Sequence, residues 1–165
     1  MDIGDLVPDD FEVPSTLETD KYRLRKLTLE DGVKDYDAVM TSVEHLQGTF
    51  GPPNDAWPSP DMSLHEDMVD LGWHQREFER RRSFAYTVMA LDETCCLGCV
   101  YIYPTRGFDA KVFCWVRASE ASSGLDEDLY HNVRSWIEQR WPFERVAYPG
   151  RAISWSEFDA AVAAG

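Results

Sequence analysis

Four cysteines, four histidines and a run of three arginines are the residues of this 165-residue sequence best suited to chemistry. Cys96-Leu97-Gly98-Cys99 has the spacing of half a tetrahedral metal site. The other half is missing, because Cys114 stands alone and no histidine lies at knuckle spacing. In a strand, Cys96 and Cys99 would also face opposite sides of the sheet. They read as buried free thiols, and no metal site is expected. Arg80-Arg81-Arg82 could grip a phosphate, but they fall where a helix should end, and there cations favour the dipole without any ligand. His45 sits near the end of the first expected helix. Two roles are open to it, a general base or a cation at the helix end.

These residues need a scaffold, and the composition allows one domain with a substantial core: 44% hydrophobic and 13% aromatic residues, without low-complexity tracts. Sixteen basic residues face thirty acidic ones, a formal charge of −14. That balance argues against nucleic acid or an anionic membrane as partner, suits a cationic amine, and equally suits an acidic surface that keeps a protein soluble. No apolar run approaches the ~20 residues that cross a bilayer. The acidic opening MDIGDLVPDDFEVP is unlike a signal peptide, so a cytoplasmic location is expected.

Residues 1–20 show no sustained period and read as an acidic extension, 21–150 as the domain, and 151–165 as a short tail with a helix starting at Ser154. The alternation of YRLRKL over residues 22–27 predicts a strand. TLED at Thr28 and SLHE at Ser63 are capping boxes that open two helices. The first is expected to bury Leu29, Val33, Tyr36, Met40 and Val43, and the second Leu64, Met68, Leu71 and Phe78. Between them, the proline-rich stretch 49–61 predicts a loop held to the body by Phe50 and Trp57. Strands follow over 84–91, 96–103 and 111–117, then a helix from Asp126 whose Trp136 is core, and a last strand over 143–148.

This order, with YRLRKLTLEDG, FAYTVMALDETCCLGCVYIYP and KVFCWVRAS in place, resembles the GNAT N-acetyltransferase superfamily over residues 22–148. The resemblance implies an α/β (α+β) fold, a mixed, mostly antiparallel central sheet flanked by helices. It implies a transferase that moves an acetyl group from acetyl-CoA to a small amine or a protein amino group. The cofactor would lie on Trp115, Val116, Arg117, Ser122, Ser123 and Gly124, with backbone N–H groups near Val116 polarising the acyl carbonyl. In the family a basic or glutamine residue and a Gly-x-Gly or Gly-x-Ala step hold the pyrophosphate at a helix start. Here Ala121 takes the basic position and Asp126 the last small one, with Glu127 and Asp128 following. Two placements are open to Asp126, capping the helix with its own carboxylate or turning away. The residues after 150 are too few for the helix and two strands that the family places there, so its tyrosine acid has no counterpart, and Tyr148 is the catalytic candidate nearest the expected cleft. The alternative is a GNAT-like binding or assembly module that has lost CoA. Either way the edge of the last strand must be covered, which predicts a homodimer exchanging the tail or the Trp57 loop.

Overall fold

The computed structural model describes residues 4–165. Its centre is a six-stranded sheet of β1 (Thr16–Glu18), β2 (Tyr22–Lys26), β3 (Phe84–Ala90), β4 (Cys96–Tyr103), β5 (Ala110–Val116) and β6 (Val146–Ala147). The strands lie in sequence order, and every pair is antiparallel except β5 and β6, which are parallel. The sheet is therefore mixed and mostly antiparallel, as expected.

Alternation along the strands divides the core between two faces. One face carries Phe84, Tyr86, Val88, Val100, Ile102 and Val112 against Leu129, Val133 and Trp136 of α4 (Leu125–Arg140). The opposite face carries Ala85, Met89, Cys99, Tyr101, Phe113 and Trp115. It is covered by α1 (Gly32–Met40), α2 (Val43–Leu46) and α3 (Leu64–Glu79). The chain closes with α5 (Trp155–Ala164), started by the capping box of Ser154 and Glu157.

Several expectations are corrected. Residues 4–18 are no loose extension: Val7 is buried, Tyr86 donates its hydroxyl hydrogen to the Pro14 carbonyl, and Arg81 bonds the carbonyls of Pro8 and Phe11. Residues 1–3 lie outside the described part. The first helix is broken at Thr41–Ser42, and its buried face is Asp35, Ala38 and Val39, leaving Leu29 and Val33 exposed. The apolar stripe misled there because the buried face includes a carboxyl group. In α3 the same displacement buries Asp67, Leu71, His74 and Glu77 and leaves Leu64 exposed. The last strand keeps two residues only. A bulge between Val88 and Met89 brings Cys96 and Cys99 onto the same face. Burial raises both thiols, Cys96 to about 12, and leaves them inert.

The tail and the proline-rich loop pack on their own chain. Trp155 stacks on Phe113 with ring centres 6.0 Å apart, Phe158 on Phe108 at 5.9 Å, and Trp57 lies edge-on to Phe50 at 5.0 Å.

Candidate functional site

A wedge opens where β5 and β6 part. Their pairing spans two residue pairs, Ala110 with Val146 and Lys111 with Ala147, after which β6 ends and β5 continues to Val116. The register against β4, fixed by Arg117 N–H donating to the Leu97 carbonyl, turns the N–H and C=O groups of Phe113 and Trp115 toward β4. Those of Cys114 and Val116 therefore face the wedge. Around them lies a cleft of about 360 Å³ lined by residues 45–49, 114–116, Asp126, 149–151 and Trp155.

Two side chains bridge this cleft. Arg151 forms a bidentate pair with Asp126, at 2.7 and 2.9 Å, and its second terminal nitrogen donates to the Cys114 carbonyl at 3.2 Å. The Arg151 guanidinium sits over the Tyr130 ring, 4.9 Å from its centre. Bonding to Asp126 raises the guanidinium pKa, so its charge is fixed. Opposite, His45 Nε2 lies 3.0 Å from the Val116 carbonyl. The sequence offered Arg151 no signal, since the turn Pro149–Ile153 is what folds it back; there Gly150, at φ 78°, lies against the Trp155 indole, where a Cβ would come within 2.9 Å.

Asp126 is thus not the helix cap. Gly124 is the N-cap of α4, at φ 84°, and Ser123 Oγ accepts from Leu125 N–H. The first helical bond runs from Asp128 N–H to the Gly124 carbonyl, so the amides of Asp126 and Glu127 precede the hydrogen-bonded ladder. Of the three acids at this helix start, Asp126 pairs with Arg151, and Asp128 accepts from the Tyr22 hydroxyl and Asn132. One of the three negative charges is therefore met by a fixed positive charge, and Asp128 is held by neutral donors.

The remaining sequence candidates separate. Val116 faces the wedge through its backbone, while the Trp115 indole points to the α3 side and donates to the Tyr101 hydroxyl at 3.1 Å. Arg117 bonds Asp37, Thr41 and the Cys96 carbonyl. Ser122 is exposed in the turn before α4. Tyr148 is buried against Tyr130 and Arg134 on the α4 side, which raises its pKa by desolvation, and it is not among the residues lining either cleft.

A second, larger cleft of about 610 Å³ lies on the α3 side of the sheet. Its walls are aromatic, with Phe50 and Trp57 from the proline-rich loop, Trp73 from α3, and Tyr101, Tyr103 and Phe113 from β4 and β5. Its polar groups include Asp70, His74, Glu77, Arg82 and Lys111. His74 is buried, with Nε2 3.4 Å from Asp70. Neighbouring residues line the two clefts, Phe50 and Phe113 the larger, Thr49 and Cys114 the smaller. Beneath α1 and α3 lies a carboxyl pair that sequence reading missed, Asp35 and Asp67. Burial and mutual repulsion raise Asp35 well above the usual carboxylate range, and burial raises Asp67 to about 6. Among the described residues no group of three or more potential ligands is placed to hold a metal ion, and no helix is long and apolar enough to cross a membrane.

No family model and no curated protein matches the sequence. Solved structures do. The ribosomal-protein-S5-alanine acetyltransferase of Vibrio fischeri superposes with a TM-score of 0.63 at 16% identity, covering 92% of this chain and 81% of its own. A GNAT-family acetyltransferase from Bordetella pertussis gives 0.59 at 15% identity, over 92% and 88%. The microcin C7 self-immunity acetyltransferase MccE, solved with acetyl-CoA and AMP, gives 0.63 at 12% identity, over 90% and 80%. With the splayed parallel pair and the helix set over it, the chain has the fold of the GNAT acetyltransferases.

Proposed function

We propose that the protein is an acyl-CoA-dependent N-acyltransferase, with acetyl-CoA in the β5/β6 wedge and a small amine or protein amino group entering from the aromatic cleft. The carrying observation is the wedge itself, where backbone donors of Cys114 and Val116 face open space beneath the start of α4. Those donors would hold the amide-bearing arm and polarise the acyl carbonyl, and the free amides of α4 together with Gly124 would meet the pyrophosphate. The fold supports this reading, and MccE, which shares it, was solved with acetyl-CoA.

In the reaction the amine gives up a proton and attacks the acyl carbon; the C–S bond then breaks, and the thiolate leaves and takes up a proton. His45 is the base candidate nearest the wedge. Cytoplasmic location and a homodimer belong to the same proposal; light scattering at micromolar concentration tests the dimer, and a monomer removes it.

The Arg151–Asp126 bridge favours the second reading, a GNAT-like module that does not take up CoA. Thermal unfolding with and without acetyl-CoA separates the two. Ligand at ~100 times its dissociation constant stabilises a fold by about 2.7 kcal/mol, a rise of roughly 5–10 °C for a domain of this size. A rise of that order supports the enzyme, and its absence at millimolar acetyl-CoA leaves the binding module.

A further inference from the structure

Lys111 is the first side chain of β5 to point into the aromatic cleft, directly across from Tyr103 in the sheet. Its ammonium lies 5.8 Å from the centres of both the Phe113 and Phe158 rings. Acidic residues outnumber basic ones thirty to sixteen, and most half-buried cations have found a carboxylate: Arg23, Arg25, Arg117 and Arg151 all stand in ion pairs. Lys111 has none within 4.0 Å among the described residues. Desolvation lowers its pKa, the mark of a cation held without a counter-charge. Ring faces answer part of this loss, but a ring quadrupole is a weaker partner than an anion. Lys111 is therefore left without an ion-pair partner, although Asp70 and Glu77 line the same cleft, which is large enough for a few residues of peptide.

We propose that Lys111 anchors a carboxylate of the acyl acceptor, so that the acceptor is an extended chain with its reacting amine at the wedge and an acidic group farther back along β5. The amine's position rests on the acyltransferase reading. Spacing sets the length: Cys114 and Val116 lie three and five residues beyond Lys111, or about 10–17 Å at ~3.3 Å per residue. An acidic side chain two to four residues behind a free amino terminus spans that distance, whereas an α-amino acid, with amine and carboxylate on one carbon, does not. The aromatic walls between would pack on the intervening residues, and Asp70 and Glu77 disfavour a second acid beside the first.

The test is a charge swap read by binding. Ala-Ala-Glu-Ala-amide and its Gln and Lys analogues are titrated into the wild-type protein and into Lys111→Gln, Lys111→Arg and Lys111→Glu, by calorimetry, with and without CoA. Wild type and Lys111→Arg should bind the Glu peptide about fivefold tighter than the Gln peptide, Lys111→Gln should not discriminate, and Lys111→Glu should prefer the Lys peptide. An unchanged order of preference in Lys111→Glu overturns the inference, as does failure of the wild type to bind any of the peptides at millimolar concentration. Acetyl-CoA thermal shifts on the same samples report on the other cleft. A charge swap without a CoA shift defeats the acyltransferase reading alone, and a CoA shift without a charge swap defeats this inference alone.

Discussion

Asp126→Asn should tighten CoA binding while weakening the fold, because Asp126 repels the cofactor's phosphates and competes with them for the positive charge of Arg151. In the wild type Arg151 spends its guanidinium on Asp126 and the Cys114 carbonyl. The substitution removes one negative charge from the first turn of α4 and releases one positive charge beside it. At ~7 Å, with an effective dielectric of ~40 between protein-surface and bulk values, each pair of unit charges is worth about 1.2 kcal/mol. Screening at physiological salt roughly halves this over such a distance. Removing the repulsion on a doubly charged pyrophosphate then leaves about 1.2 kcal/mol, close to tenfold in Kd. Freed Arg151 can only add to that. The fold should lose about 1 kcal/mol, because the pair is bidentate yet its side chains are 29% and 40% exposed. Arg151→Gln leaves Asp126 unanswered and should weaken CoA by a similar factor at a similar cost in stability. Calorimetric titration of CoA into both variants, with melting curves beside it, gives the two readouts. If Asp126→Asn binds CoA no tighter than wild type, or both variants shift affinity in the same direction, the bridge does not gate the wedge.

The carboxyl pair makes stability depend on pH. A carboxyl whose folded pKa is raised contributes stability that is present below its unfolded pKa and lost as pH climbs through the folded one, so Asp67 costs stability as pH rises from about 4 to 6. Asp67→Asn should flatten that decline by on the order of 2 kcal/mol, seen as a smaller fall in Tm between pH 4.5 and 7 in melting curves. Gly98→Ala should cost ~3 kcal/mol or more, because its Cβ would lie 2.0 Å from the Trp115 carbonyl oxygen, which points at β4; chemical denaturation measures it. Tyr86→Phe removes a hydroxyl bonded to Pro14 at 2.7 Å and should cost about 1 kcal/mol, with faster proteolysis of the amino-terminal segment as the local readout.

Much of the scaffold was legible because strands and capping boxes are local events. The strand over Cys96–Tyr103, the box at Ser63 and the helix start at Ser154 depend on neighbours within a few residues, and they stand where the sequence puts them. What failed was long-range. The faces of α1 and α3 were assigned on the premise that buried means apolar, yet Asp35, Asp67 and His74 lie under them. Residues 4–18 look unstructured in isolation because their anchors, Arg81 and Tyr86, are some seventy positions away. At the site, the strand that carries Val116 could be anticipated from its own residues, but the pairing of Arg151 could not, since an arginine after a Pro-Gly turn has no periodicity to announce a partner on α4.

The alternation along β5 has a consequence for the exchange of its amide hydrogens. Neighbouring residues of one strand ordinarily exchange at comparable rates when both sides are paired. Here the hydrogens of Phe113 and Trp115 are engaged by β4, while those of Cys114 and Val116 look across the wedge. Deuterium should therefore enter β5 at every second residue, fast at 114 and 116 and slow at 113 and 115. Slowing of the fast pair alone on adding a ligand would mark its path along the strand, one hydrogen at a time, without any need for turnover.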